Sequence, residues 1–251
     1  MKYYDIKQIN STNIARAIYT TADHPDWKFG KALAIANCRE LGFQLGITPG
    51  QMTMANQTHT NIIRVVTGEN SGELVTRPLS DASLEAGFDG LVTNQTGLMI
   101  CTVEADCVPV YMLDPVKKAI AMVHSGWRGT VGKICAKAVR ALHENYCADP
   151  ADLIVHIGPC ACEHCYEVGG ELIEEFAGTF GAEVAEGFFS PRGDKYNLDM
   201  KKAIRHTLAE SGVNPGNISA ENRCTIETEE LCSWRRQRPV KTSMLTAIFL
   251  K

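Results

Sequence analysis

The sequence lacks several features that would assign it to a class of protein at once. No apolar run reaches the roughly 18–20 residues that a membrane-spanning helix needs. No basic start followed by an apolar stretch forms a secretory signal. Basic residues are not in excess, because the net charge is −4, so neither nucleic acid nor an anionic membrane surface is expected as a partner. These absences favour a soluble cytoplasmic protein.

Linkers, repeats and low-complexity tracts are also missing, which favours a single domain over residues 1–251. No Gly-x-Gly-x-x-Gly pattern follows a predicted strand, so a Rossmann dinucleotide site is not expected. The ten cysteines, in a chain without a secretory signal, are expected to be free thiols, metal ligands or a nucleophile rather than disulfides.

Strands and helices are mixed along the chain without a regular βαβ alternation. This favours the α+β class, with a mixed β-sheet core flanked by helices. Continuous apolar runs predict strands that are covered on both faces. The predicted strands are 14–21, 61–66, 97–103, 108–113, 119–123, 153–157 and 243–250. The predicted helices are 29–45, 129–146, 168–180 and 198–211, the last with Asn197 as N-cap and Gly212 as C-cap.

A thiol precedes one of these apolar strands, and an imidazole ends the next. A turn centred between Pro115 and Val116 would place Cys107 directly opposite His124, with Cβ atoms about 4.5–5.5 Å apart. A slip of one residue would place the two side chains on opposite faces of the sheet. The pair suits a shared metal ion, or a thiolate whose proton the imidazole removes.

His59 is the natural third ligand, since it stands among polar residues just before another apolar strand. His59, Cys107 and His124 would form a set with a vacant position, which is the catalytic type of zinc site. The same ligands resemble the equatorial set of a blue copper site. A multicopper oxidase also needs a trinuclear cluster, which seven scattered histidines cannot supply.

Two cationic segments could bind an anion such as phosphate. Gly126-Trp127-Arg128-Gly129-Thr130 opens the predicted long helix, where backbone N–H groups and Arg128 would face the ligand. Ser233-Trp234-Arg235-Arg236 offers a second cation, Arg235. Asp106 is a candidate orienting residue or acid/base beside Cys107.

The loop after strand 153–157 concentrates further metal-binding residue types. Cys160, Cys162, His164 and Cys165 could hold a second metal ion, although paired C-x-x-C elements are the usual design. The signature of zinc deaminases needs H-x-E upstream and P-C-x-x-C. Neither pattern occurs here, so that fold is not supported.

Taken together, these motifs resemble the laccase-domain family, long labelled multicopper polyphenol oxidases and now treated as purine nucleoside phosphorylases. The family patterns Q-x-H-G, A-D-C-x-P-V and H-A-G-W-R-G-T are similar to residues 57–60, 105–110 and 124–130. Residues 157–169 align without a gap to I-G-P-x-I-G-x-C-C-Y-E-V-G, and the C-T and S-Y-R-R elements match residues 224–225 and 233–236. The chain departs from the family at G-G-V-S near the N-terminus and at D-G-x-T-G-R after S-Y-R-R.

The resemblance implies a zinc site at His59, Cys107 and His124, with copper as the other metal. It implies phosphorolysis of adenosine, inosine or guanosine, with adenosine deamination and methylthioadenosine phosphorolysis as side activities. It also implies a fold like that of a cytotoxic necrotizing factor, a toxin with a Cys–His pair. Two rivals remain open: a cysteine hydrolase or amidase that uses Cys107 and His124, and a non-catalytic metal-binding protein whose site a cysteine from 160–165 closes.

Overall fold

The computed structural model describes residues 1–24, 26–27, 32–82, 85–240 and 242–251. Within these residues the strands, in chain order, are β1 (Tyr3–Asp5), β2 (Ala15–Thr20), β3 (Met52–Met54), β4 (Ile63–Val65), β5 (Gly90–Thr93), β6 (Met99–Glu104), β7 (Val108–Asp114), β8 (Ala119–Ser125), β9 (Ile154–Ile157), β10 (Glu167–Val168), β11 (Phe189–Arg192), β12 (Lys195–Leu198), β13 (Ile218–Ala220) and β14 (Met244–Leu250). All seven predicted strands are present, within about two residues of their predicted ends.

The α-helices of the described residues are α1 (Lys7–Asn10), α2 (Ala32–Leu45), α3 (Trp127–Val131), α4 (Ile134–Tyr146), α5 (Glu171–Phe180), α6 (Ala182–Glu186), α7 (Met200–Glu210) and α8 (Trp234–Gln237). Helix α2 confirms the prediction for 29–45 from residue 32 onward, and residues 29–31 lie outside the described part. No helix that the structure describes has both the length and the apolar character needed to cross a bilayer.

Two large sheets form the centre of the molecule. One has the strand order β1-β2-β14-β6-β3 and the other the order β13-β9-β7-β8-β5-β4, and a small sheet orders β10-β12-β11. Both large sheets are mixed, because β3–β6, β13–β9 and β4–β5 are parallel pairs among antiparallel ones. The predicted α+β class with a mixed-sheet core is therefore confirmed.

Burial explains the layering. Every residue of β7 and of β8 is buried, as expected for strands covered on both faces. On one face, side chains such as Ile120 and Met122 pack against Ile100 and Ile248 of the other large sheet. On the opposite face, side chains such as Ala121 and Val123 pack against α4, α5 and α7. The outer face of the five-stranded sheet packs against α2. The order of layers is helix, sheet, sheet, helices.

The predicted helix 129–146 is interrupted. The Gly132 carbonyl accepts a hydrogen bond from the Asn61 side chain at 2.9 Å, and Lys133 adopts the left-handed region with φ of 52°. The helix therefore divides into α3 and α4. The prediction that residues 126–130 open a long helix is therefore wrong, because α3 has only five residues.

Two other helix boundaries differ from the prediction. Residues 167–168 pair with β12 as strand β10, so the helix predicted from 168 begins only at Glu171. Asn197 lies within β12 and does not cap α7. Asp199 is the N-cap instead, and its Oδ1 accepts a hydrogen bond from the Lys202 N–H at 2.9 Å. Gly212 follows α7 with φ of 88°, as a residue past a helix end should.

Candidate active site and metal centre

The β7–β8 hairpin carries His124 and presents Cys107 just before its first strand. In the observed register Val108 pairs with Ser125, and Pro109 pairs with His124. The predicted direct opposition of Cys107 and His124 is therefore wrong, and the pairing is displaced by two residues. Because side chains alternate with a period of two, this displacement still leaves Cys107 and His124 on one face.

The turn of the hairpin accounts for the displacement. Asp114 pairs with Ala119, so the turn spans the four residues 115–118. The Asp114 side chain accepts hydrogen bonds from the backbone N–H groups of Val116 and Lys117, each at 2.8 Å. Lys118 then adopts a positive φ of 51°. The centre of this turn lies one residue beyond the predicted centre, which moves every cross-strand pair by two.

The structure brings His59, Cys107 and His124 together. Their ligand atoms all lie within 4.8 Å of one another, and His59 Nε2 is 4.0 Å from Cys107 Sγ. The two imidazole rings meet edge to face, with centroids 5.1 Å apart. Two imidazole nitrogens and one thiolate suit a metal ion that keeps an open coordination position. The residues present therefore fit a metal.

Asp89, a residue that the sequence did not single out, orients this group. Its buried Oδ1 lies 2.7 Å from His124 Nδ1, which leaves Nε2 of that ring to face Cys107 and His59. The same carboxylate accepts the backbone N–H groups of His59 at 3.1 Å and Thr60 at 2.6 Å. Burial opposes ionisation of Asp89, but the His124 and Thr60 hydrogen bonds outweigh it and lower its pKa.

Electrostatic coupling activates the Cys107 thiol. Its burial favours the neutral form, but the charge of His124 and hydrogen bonds from His124 and His59 outweigh burial and lower its pKa to about 6. For His124, burial is outweighed by the charges of Glu104 and Cys107, which raise its pKa well above the usual value. Without a metal, Cys107 and His124 therefore form a thiolate–imidazolium pair at neutral pH.

Glu104 lies beneath the same group. Its side chain is fully buried, and burial raises its pKa to about 8. Its Oε1 accepts a hydrogen bond from the Thr102 hydroxyl at 2.8 Å. Its Oε2 lies 3.7 Å from His124 Nε2 and has no hydrogen-bond partner among the described residues. Glu104 thus places a buried carboxyl oxygen beside the free nitrogen of His124. In the sequence, Glu104 stands out only as a carboxylate at the end of an apolar strand.

A cleft of about 640 Å³ opens above the three candidate ligands. His59, Cys107 and Gly126 line its floor. The aromatic side chains Trp127, Tyr166 and Trp234 line its walls. The volume is in the range of pockets that enclose a small organic ligand.

Both cations expected to bind an anion reach this cleft. The Arg128 guanidinium lies 4.2 Å from the Trp127 ring, and the Arg235 guanidinium lies 4.9 Å from the Tyr166 ring. Arg236, the neighbour of Arg235, instead forms hydrogen bonds with the backbone. Its guanidinium donates to several backbone carbonyl oxygens, those of Thr225, Ile226, Thr228 and Leu231.

Asp106 joins two parts of the cleft. Its Oδ1 accepts a hydrogen bond from the Thr225 hydroxyl, and its Oδ2 accepts one from the backbone N–H of Arg235, both at 2.7 Å. Asp106 itself has a positive φ of 86°. The structure thus places it between the Cys107 loop and the segment that carries Arg235. Orientation of that segment fits this geometry, whereas its predicted role in acid/base chemistry stays a prediction.

The four residues expected to form a second metal cluster do not all meet. Cys160 is fully buried, and His164 is 80% exposed. Cys162 and Cys165 instead lie against Cys224 and Glu227. Because these cysteines belong to that other group, they do not close the His59–Cys107–His124 site as one rival interpretation expected.

The chain is similar to curated proteins that are named purine nucleoside phosphorylase or adenosine deaminase. It is 31% identical over 215 residues to the purine nucleoside phosphorylase YlmD of Geobacillus stearothermophilus, which covers 85% of this chain and 77% of that protein. It is 34% identical over 207 residues to a purine nucleoside phosphorylase of Streptomyces coelicolor, covering 82% and 78%. A third relative, adenosine deaminase RL5 from an unknown prokaryotic organism, is 31% identical over 214 residues, covering 84% and 79%.

Solved structures and a family model agree with these matches. The crystal structure of the hypothetical protein YfiH from Bacillus licheniformis superposes with a TM-score of 0.88 at 26% identity, covering 99% of this chain and 96% of that one. The structure of YlmD from Geobacillus stearothermophilus gives 0.81 at 28% identity, covering 94% and 92%. The family model matches residues 30–251. The chain therefore belongs to the family described as multi-copper polyphenol oxidoreductase laccase.

Proposed function

We propose that this protein is a zinc-dependent purine nucleoside phosphorylase, which converts adenosine, inosine or guanosine and phosphate to the free base and ribose 1-phosphate. One observation carries the proposal. His59 and Cys107, which converge with the buried His124, line a cleft that Arg128 and Arg235 also line. Relatives named purine nucleoside phosphorylase support it.

The side chains of the cleft suit both substrates. Phosphorolysis breaks the bond from ribose C1′ to the purine nitrogen and forms a bond from C1′ to a phosphate oxygen. Arg128 and Arg235 would bind the phosphate by charge-assisted hydrogen bonds and hold it beside the sugar. The rings of Trp127, Tyr166 and Trp234 offer apolar surface to the purine.

The metal centre would act on the substrate from the floor of the cleft. When bound, zinc supplies a Lewis acid that polarises a substrate oxygen or nitrogen, or a bound water. Asp89 keeps His124 Nδ1 occupied, so that Nε2 remains free for the ligand set. The same site would support deamination of adenosine by water, the activity named for one relative.

Release of hypoxanthine from inosine tests the assignment. Purified protein, with zinc content measured, is incubated with inosine in the presence and absence of phosphate, and products are separated by chromatography. We expect hypoxanthine and ribose 1-phosphate only when phosphate is present, and neither product from the Cys107→Ala variant. Zinc-loaded protein that leaves inosine unchanged in phosphate would contradict the proposal.

A cysteine hydrolase is the second candidate, because the lowered pKa of Cys107 beside His124 also describes an activated nucleophile. Removal of the metal separates the two functions. A hydrolase would keep or gain activity towards amides and esters after chelation, since the thiolate would be released. The proposed phosphorylase would instead lose activity on chelation and regain it when zinc is restored.

A further inference from the structure

Outside the cleft, two loops bring a second set of metal-binding side chains together. One loop, between β9 and β10, contains Cys162 and Cys165 in C-x-x-C spacing. The other, after β13, contains Cys224 and Glu227 in the matching C-x-x-E spacing. The three sulfur atoms and a carboxylate oxygen all lie within 4.8 Å of one another. Paired elements with this short spacing are the usual design of structural zinc sites.

Backbone hydrogen bonds hold each loop in a turn around its first cysteine. The Cys162 carbonyl accepts the N–H groups of Cys165 and Tyr166 at 3.0 and 2.9 Å, and the Cys224 carbonyl accepts that of Thr228 at 2.9 Å. The Cys162 N–H also points at Cys224 Sγ, at 3.3 Å. Such turns direct N–H groups towards a thiolate and aim the side chains at one point.

Contacts between the loops fix them relative to each other. Cys160 and Cys224 form a parallel bridge, and the Thr225 N–H donates to the Cys160 carbonyl at 3.0 Å. Cys165 Sγ lies 3.3 Å from a carboxylate oxygen of Glu227. Backbone contacts therefore bring the two loops, and with them the donor atoms, together.

We propose that Cys162, Cys165, Cys224 and Glu227 bind a structural zinc ion. Three thiolates and one carboxylate complete a tetrahedral set, which leaves no open position for a substrate. Iron–sulfur clusters are commonly held by four cysteine thiolates, which this group does not contain. This site is separate from the His59, Cys107 and His124 centre and goes beyond the proposed function.

The bound zinc would stabilise one wall of the cleft. Tyr166 directly follows Cys165, and Thr225 directly follows Cys224. Thr225 contacts Asp106, whose other oxygen holds the backbone of Arg235. The metal would thus tie together two segments that carry the Tyr166 ring and the Arg235 guanidinium.

Zinc stoichiometry tests the proposal independently of enzymatic activity. Wild-type protein, Cys107→Ala, Cys162→Ser and the double variant are incubated with zinc, freed of excess metal by gel filtration and analysed by mass spectrometry of the metal. We expect about two zinc ions per chain in the wild type, about one in each single variant and none in the double variant. Cys147→Ser, at an exposed cysteine outside both groups, should keep about two.

A second measurement does not depend on whether Cys162→Ser folds. Cobalt loaded into Cys107→Ala should give intense sulfur-to-metal charge-transfer absorption, because three thiolates remain at the second site. A Cys107→Ala protein that binds neither zinc nor cobalt would overturn the proposal. A disulfide between Cys162 and Cys224 in that variant, found by peptide mass mapping under zinc-replete reducing conditions, would overturn it as well.

Discussion

At the scale of single residues, Asp89 connects the two histidines of the candidate metal centre. One carboxylate fixes the His124 ring through Nδ1 and holds the His59 loop through its backbone N–H groups. Its burial keeps water from competing for these bonds. Residues that orient a metal-binding histidine in this way commonly contribute about 10- to 100-fold to metal affinity or activity.

We therefore predict that Asp89→Asn weakens zinc binding by about 10- to 100-fold, because the amide of asparagine is an uncharged and poorer acceptor for the His124 ring. A competition titration with a chromogenic chelator measures the change at the His59 centre in protein that also carries Cys162→Ser. Asp152→Asn, an exposed aspartate in the turn before β9, is the matched control and should leave the affinity unchanged. Equal affinities for the two variants would contradict the orienting role.

The three candidate ligands could be identified from the sequence, but Asp89 could not, for a physical reason. His59, Cys107 and His124 each stand at the boundary of an apolar strand, where a polar functional group is conspicuous. Asp89 bonds mainly to backbone N–H groups 29 to 31 residues away, which no side-chain pattern displays. Cys224 and Glu227 were missed as well, because they stand 62 residues from Cys162 and Cys165 and only the fold brings the two loops together.

At the scale of elements, the connection from β8 to α3 determines how closely the ligands approach. Gly126 is the N-cap of α3. A Cβ atom added there would lie 2.9 Å from the His59 ring and 3.2 Å from Cys107 Sγ. Both contacts are shorter than a side-chain carbon normally makes, so the absence of a side chain at position 126 leaves room for the two ligands to converge.

Gly126→Ala should accordingly displace His59 and Cys107 and lower kcat/KM roughly 100-fold, the effect of a misplacement of about 1 Å in an active site. Steady-state assays with inosine and phosphate, together with zinc analysis, measure the loss. Gly178→Ala in α5 is the control, because a Cβ there meets no atom within 4 Å. It should keep full activity and raise the free energy of unfolding by up to about 1 kcal/mol. Undiminished activity in Gly126→Ala would show that the loops relax without disturbing the ligands.

The hairpin shows which part of an element can be predicted. The apolar runs identified β7 and β8, since burial on both faces requires such composition. The register could not be obtained from those runs, because uniformly apolar strands satisfy burial in several alignments. It depends on the Asp114 side chain, which caps a turn whose centre lies one residue further along the chain than expected. The displacement happened to be even, so the face of Cys107 and His124 was nevertheless correct.

At the scale of the whole molecule, the cleft draws its parts from distant regions of the chain. The two-sheet core holds the β7–β8 hairpin rigidly, and this hairpin positions Cys107, His124 and Arg128. Arg235 arrives from α8, more than a hundred residues later, through its backbone bond to Asp106. Two cations on separate elements therefore line one cleft, where both would be available to the phosphate of the proposed reaction.

Removal of either cation should weaken phosphate binding more than nucleoside binding. We predict that Arg128→Ala and Arg235→Ala each raise the KM for phosphate roughly 10- to 100-fold, since a hydrogen bond to a charged group contributes about 1.5–3 kcal/mol. The KM for inosine should change little. Initial rates over a matrix of both substrate concentrations separate the two constants. Arg140→Ala, an exposed arginine on α4, controls for the loss of a surface charge. A rise confined to the inosine KM would place phosphate elsewhere, because neither guanidinium would then contact it.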